Sequence, residues 1–204
     1  MNPIFDTLND RQCEAVKHTE GPLLITAGAG SGKTKVLTCR IAHLLELGVA
    51  PYRILAITFT NKAAKEMKER VTNLVGAQAD SIWLSTFHSF CAKLLRFEID
   101  GFHGYTRNFT IYDSSDQLVL VKGCLKKLNL DDKQFTPRSV LGTISSAKNV
   151  LMDAKAFAAK ASDFYEQKVA DVYALYQEKL RENNAVDFDD LLFLAVRLLQ
   201  ENEE

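Results

Sequence analysis

The sequence predicts an α/β fold, a partial parallel sheet with a mostly α-helical second half, and three observations carry that prediction. A short apolar run at residues 22–26 leads into a glycine-rich stretch, Ala27-Gly28-Ala29-Gly30-Ser31-Gly32-Lys33-Thr34, and then into an amphipathic segment at 36–47. Two more short apolar runs, at 53–59 and 81–85, flank a segment with helical spacing. Beyond residue 100 strand-like runs nearly vanish, and apolar residues recur every three or four positions. Strand, glycine turn, helix, strand is the order of a right-handed βαβ unit. Its parallel strands place ligands at their carboxyl ends.

The glycine-rich stretch matches the phosphate-binding pattern Gly-x4-Gly-Lys-Ser/Thr except at its first position, where Ala27 stands for Gly. Small residues let successive N–H groups curl inward as an anion nest, and the following helix adds its partial positive charge. Lys33 is expected to reach the β- and γ-phosphates as a point charge, and the Thr34 hydroxyl to ligate Mg²⁺. Ala27, Gly28, Ala29, Gly30, Ser31, Gly32, Lys33, Thr34 and the adjoining Lys35 are therefore candidate nucleotide-binding residues. Lys33 and Thr34 carry the expected chemistry. The competing explanation is a strand-to-helix turn with an incidental lysine, and the Gly-Ser-Gly-Lys-Thr context argues against it.

A chain of 204 residues allows one sizeable domain or two small ones. With 47% hydrophobic and 25% charged residues it can bury a real core, which excludes a disordered chain. A net charge of −1 gives no nucleic-acid signature for the whole. Residues 1–112 carry +3 and residues 113–204 carry −4, so the first half is only mildly basic. The four cysteines, Cys13, Cys39, Cys91 and Cys124, are too widely spaced for a zinc site or a disulfide framework, and reduced core thiols of a cytoplasmic protein are expected. No basic-then-apolar leader opens the chain, and no apolar run spans a bilayer.

Taken in order, Asn9 and Gln12 form a capping-box start for a short helix, so Gln12 has a local role as well as any other. Gly48 is the expected C-cap of the helix after the glycine loop. The 53–59 strand ends in Thr58-Phe59-Thr60. Asn61 is expected to cap the next helix, with Ala63, Ala64, Met67 and Val71 inward and Lys62, Lys65, Glu66, Lys68, Glu69 and Arg70 on its charged face. The 81–85 strand ends in Thr86-Phe87-His88, and a helix follows at 89–97. Gly101-Phe102-His103-Gly104 is a loop. Ser114 with Gln117 is expected to cap a helix bearing Leu118, Val121, Leu125 and Leu128. Thr136-Pro137 is a cap followed by proline at the first helical position. Phe164, Val169, Val172, Tyr173 and Tyr176 give the stripe of a longer helix, and Asp187 caps a last one with Leu191, Leu192, Leu194 and Leu198.

Several of these motifs occur in one order. They are Leu8-Asn9-Asp10-Arg11-Gln12, the 27–34 loop, Thr58-Phe59-Thr60-Asn61-Lys62-Ala63-Ala64, Ser85-Thr86-Phe87-His88, Ile111-Tyr112-Asp113 and Val186-Asp187-Phe188-Asp189-Asp190-Leu191-Leu192. In order and spacing, across the whole chain, the series closely resembles the UvrD/Rep/PcrA family of superfamily 1 DNA helicases. The resemblance implies a RecA-like P-loop NTPase fold with ATP and Mg²⁺ as cofactors. It implies an incomplete ATP-binding subdomain 1A at 1–90. A helical subdomain 1B follows at 91–204, with the start of the return to 1A. Gln12 would read adenine, since a carboxamide both accepts from N6 and donates to N7. Arg70 matches a family arginine near the nucleotide. Phe59, Thr60, Asn61 and His88 match residues on single-stranded DNA, and 1B contacts the duplex junction. The implied setting is the bacterial cytoplasm.

Hydrolysis also needs an acidic residue for Mg²⁺, a carboxylate for the attacking water, and arginines on the transferring phosphoryl group. Asp113 reads as a helix start, and Asp187, Asp189 and Asp190 as first-turn residues stabilised by the helix dipole. The acidic motif is thus expected to be absent. The chain is expected to be the N-terminal part of an ATP-dependent 3′→5′ DNA helicase, inactive alone. A non-helicase P-loop NTPase or small-molecule kinase is the alternative. Asn61-Lys62-Ala63-Ala64 resembles the guanine-reading Asn-Lys-x-Asp, but Ala64 lacks the carboxylate, and no arginine-rich lid is evident. A non-enzymatic ATP- or DNA-binding module is the third possibility.

Overall fold

The computed structural model describes residues 4–201, which fall into two compact units dividing between Phe90 and Cys91. In the first unit, Asn9 and Gln12 start helix α1 (Asp10–Lys17) through a reciprocal capping box. Helix α2 (Lys33–Glu46) follows the glycine loop and stops where Gly48 turns left-handed at φ 85°. Strand β1 (Leu55–Thr58), helix α3 (Asn61–Val75) and strand β2 (Trp83–Thr86) complete a parallel βαβ unit, in register from Leu55 opposite Trp83 to Thr58 opposite Thr86. Ile41 of α2, Ala56 of β1 and Met67 and Val71 of α3 share one buried cluster with Ile54 and Ile82. A second cluster seats Val16 of α1 among Val36, Cys39 and Ala42 of α2.

Two local expectations are corrected here. Residues 22–26 form no strand: neither β1 nor β2 bonds to them, and Leu24 is 87% exposed. An apolar run becomes a strand only when its backbone pairs with a neighbour, and this run pairs with neither edge of the two-stranded sheet. The cap of α3 is Thr60, whose Oγ1 accepts from Ala63 N at 3.1 Å, while Asn61 is already the first helical residue.

Helix α4 (Phe87–Glu98) runs across the division, starting two residues before the expected 89. The second unit then consists of α5 (Ser114–Lys127), α6 (Pro137–Asn149), α7 (Ala154–Lys160), α8 (Phe164–Glu182) and α9 (Phe188–Glu201). Two-residue strands β3 (Thr110–Ile111) and β4 (Ala185–Val186) pair in parallel. Asp113, not Ser114, caps α5, because its carboxylate takes the Ser115 and Asp116 N–H groups and Asp116 returns the bond. Val169, Val172, Tyr173 and Tyr176 of α8 are buried, but Phe164 is exposed at the first turn, ahead of the packed face.

A larger departure concerns Asp187 and Asp190. Asp187 does cap α9, yet it and Asp190 are buried rather than solvated. Lys148 of α6, itself buried, places Nζ 2.6 Å from Asp187 Oδ2 and 2.8 Å from Asp190 Oδ1. Tyr176 donates to Asp187 Oδ2 at 2.9 Å, and Gln177 Nε2 to Asp190 Oδ1 at 3.2 Å. Burial alone would lower the Lys148 pKa, but the two carboxylates outweigh it and hold the ammonium charged. Burial, with Asp187 beside it, raises Asp190 to about 6, despite the opposing pull of Lys148. The cluster ties α6, α8 and the start of α9 together with nearly every polar atom satisfied.

Lys148→Met leaves two buried carboxylates without a cation. It is expected to cost about 3–5 kcal/mol, read as a lowered urea midpoint. Asp190 binds its proton more tightly folded than unfolded, so its contribution to stability falls as pH rises from its unfolded value near 4 to about 6. Denaturation at pH 4, 5 and 6 should show that component in the parent protein and not in Asp190→Asn.

Candidate functional site

The glycine loop is built on two left-handed residues, Gly30 at φ 74° and Gly32 at φ 83°, conformations that L side chains rarely adopt. Ser31 Oγ donates to Gly28 O at 2.7 Å and closes the turn. The loop then feeds directly into α2, with Gly32 as its N-cap. The N–H groups of Gly30, Gly32, Lys33 and Thr34 take no hydrogen bond among the described residues. Four unpaired donors at the head of a 14-residue helix are the electrostatic requirement for an anion site. Lys33 Nζ bridges the Ala27 and Gly28 carbonyls at 2.8 and 2.6 Å, so its charge stays over the loop. Thr34 is exposed in the first helical turn. Added Cβ atoms at Gly28 or Gly30 would meet nothing within 4 Å, so the loop mouth is open.

Gln12 is brought to this loop by α1. Its Oε1 completes the capping box, accepting from Asn9 N at 3.0 Å, and its Nε2 donates to Ser31 O at 3.0 Å. Capping and proximity to the loop are therefore both true of one side chain. Gln12, Ala27, Ser31 and Lys33 line a cavity of about 230 Å³ with Ile25 as an apolar wall. Two other candidates lie apart from it. Lys35 Nζ donates to Thr7 O at 2.5 Å, and Arg70 lines an adjacent hollow of about 290 Å³ with Thr7, Lys35 and Thr38.

The second group of candidates gathers at the carboxyl ends of β1 and β2. Both strands end in a buried threonine, and Thr58 and Thr86 are register partners. Thr58 Oγ1 donates to Thr60 O at 3.1 Å, and Thr86 Oγ1 accepts from Ser89 N at 3.2 Å, so each hydroxyl fixes the turn that follows. The next residues, Phe59 and Phe87, lie with ring centroids 5.8 Å apart, and Phe59 is 91% exposed. Thr60 spends its hydroxyl on the α3 cap, whereas the side chains of Asn61 and His88 are exposed. Phe87 is the member sequence reasoning left out of the candidates. Its signal was the repeated Thr-Phe pair after each strand.

Three of the four carboxylates considered as catalytic substitutes are engaged elsewhere. Asp113 caps α5, its pKa lowered first by the Ser115 hydroxyl, and Asp187 and Asp190 hold Lys148. Among the described residues no group of three His, Cys, Asp or Glu could hold a metal, and no helix is long and apolar enough to cross a membrane. All four cysteines are free, and burial raises the thiol pKa of Cys39, Cys91 and Cys124.

Gly32→Ala tests the loop geometry. The left-handed conformation costs about 1–2 kcal/mol with a Cβ, which would also stand 2.9 Å from Gln12 Nε2. A lowered thermal midpoint and a shifted Gln12 side-chain amide signal in NMR are expected.

The chain matches the model of the UvrD/REP helicase N-terminal domain over residues 8–204. It is 58% identical over 198 residues to the ATP-dependent DNA helicase PcrA of Bacillus subtilis, covering 97% of this chain and 27% of that protein. It is 54% identical over 201 residues to the protein of the same name from Staphylococcus aureus strain Mu50, covering 98% and 27%. The chain thus spans about a quarter of the length of these relatives. Matched by that model over nearly its whole length, the chain belongs to the UvrD/REP helicase N-terminal domain family.

Proposed function

We propose that this chain is the ATP- and DNA-binding N-terminal part of an ATP-dependent 3′→5′ DNA helicase. Residues 1–90 would be the ATP-binding subdomain and residues 91–204 the helical subdomain facing the duplex junction. The observation that carries the reading is the loop of residues 27–34, with four unpaired N–H groups and Lys33 over one open concavity. This donor set fits a polyphosphate. Lys33 would exchange two neutral carbonyls for charge-assisted bonds to the β- and γ-oxygens. Thr34 would give its hydroxyl to Mg²⁺, which keeps most of its other ligands from water and phosphate. The bound metal would supply charge neutralisation at the transferring phosphoryl group. Gln12, already at the loop, would turn its carboxamide to the adenine edge.

Phe59 with Phe87 would offer bases a stacking surface without reading sequence, and Asn61 and His88 would hold the strand by polar contacts. The relatives named as DNA helicases favour this over a kinase or a stand-alone P-loop enzyme. On this reading the carboxylate for the attacking water and the arginines on the phosphoryl group come from the rest of the full-length protein, so the 204 residues by themselves would not turn over ATP. The whole protein would act in the bacterial cytoplasm.

The test is made in the full-length protein. Lys33→Ala should lower kcat/KM for ATP by about a hundredfold or more. Phe59→Ala should weaken binding to an oligo-dT strand by about tenfold and leave basal ATP hydrolysis near its original value. ATP turnover indifferent to oligo-dT in the unsubstituted protein would transfer the assignment to an independent P-loop enzyme.

A further inference from the structure

Helix α1 is only eight residues long, too short to hold its own direction in water. Yet it carries Gln12, whose amide reaches the loop at Ser31 O. Something outside α1 must therefore fix its axis against α2. Val16 and the partly buried Ala15, with Leu8 just ahead of the helix, pack with Val36, Cys39 and Ala42, but apolar contact is non-directional and does not by itself set the helix's rotation.

Two cations of α2 supply directional ties, one ahead of α1 and one in its last turn. Lys35 Nζ takes the Thr7 carbonyl on the N-terminal side. Arg40 Nη1 takes the Ala15 carbonyl, in the last turn, at 2.8 Å. Among the described residues no backbone N–H reaches Ala15 O, which is one of the carbonyls a helix leaves unpaired at its C-terminus. A guanidinium there satisfies the orphan acceptor and complements the negative end of the helix dipole. Lys35 and Arg40 are five residues apart on α2, and Thr7 and Ala15 bracket Gln12 in sequence. The arrangement is a two-point clamp with Gln12 between its jaws.

We propose that Arg40 is a positioning residue for nucleobase selection. It touches neither the loop nor the cavity beside it. It acts through the C-terminal end of α1 and sets where the Gln12 carboxamide stands relative to Ser31 and the phosphate-binding N–H groups. The proposal rests on the reading of Gln12 as the adenine contact. Loss of the clamp leaves Lys33, Thr34 and the glycine loop in place. The penalty therefore falls on binding and base discrimination rather than on the chemical step.

The experiment compares steady-state hydrolysis of ATP and GTP by the full-length protein and its Arg40→Met variant, with oligo-dT saturating. Met keeps much of the apolar stem and removes the donor. The expected result is a KM for ATP raised by about fivefold with kcat within about twofold, as for loss of a contact made equally in ground and transition states. The preference for ATP over GTP should fall by a similar factor. Arg40→Lys retains charge and one donor and should recover part of both. It also serves as the readout should Arg40→Met not fold. Unchanged KM and unchanged ATP preference in Arg40→Met, or in Arg40→Lys where the methionine variant does not fold, overturn the proposal. So does a fall in kcat alone accompanied by a lowered thermal midpoint, which a merely structural arginine would give. Absence of ATP hydrolysis or of any ATP preference in the unsubstituted protein instead overturns the reading of Gln12, and the proposal with it.

Discussion

The left-handed pair Gly30 and Gly32 is the constraint on which the first unit depends. It reverses the chain within a few residues and delivers it into α2 with four N–H groups unpaired. Helix α2 then receives α1 on one side, through Val16, and shares a buried cluster with β1 and α3 through Ile41. A side chain at Gly32 would collide with the Gln12 amide as well as strain the backbone. Backbone freedom, helix direction and the placing of the glutamine therefore follow from one residue type at one position.

The two units treat polar groups in opposite ways. In the first, donors are left unsatisfied at an open loop, and a lysine is held by weak carbonyl contacts. On the proposed reading that is a preorganised anion site, and its cost in stability is small because water reaches it. In the second, Lys148 is fully withdrawn from water but meets two carboxylates within 2.8 Å, with a tyrosine hydroxyl and a carboxamide completing the set. A network satisfied but for the Gln177 carboxamide oxygen fixes one arrangement of three helices, and loss of a single member is expensive. One polar cluster is arranged for exchange and the other for permanence.

The sequence was read most reliably where the signal was local. The Asn9–Gln12 box, the Thr136 cap with its proline and the Gly48 stop depend on neighbours within a few residues, and each stands as expected. Errors of a residue, such as Thr60 for Asn61 and Asp113 for Ser114, arose where two adjacent side chains could each cap. The reading failed where the partner was distant. Asp187 and Asp190 look like ordinary first-turn carboxylates until Lys148, 39 residues before Asp187, is folded against them. Residues 22–26 look like a strand until the absence of a paired neighbour among the described residues is seen.

By itself, then, the sequence determined the glycine-rich loop, several helix starts to within a residue or two and the family, because these are written in short motifs and their order. The tertiary structure decided which residues stand together. It joined Phe59 to Phe87 through the register of two strands, and set Gln12 on the loop through a neighbouring helix. It also sent Lys35 to a carbonyl outside the loop cavity. Proximity across the chain depends on packing and on which partner satisfies each buried group, and neither is encoded in spacing along the sequence.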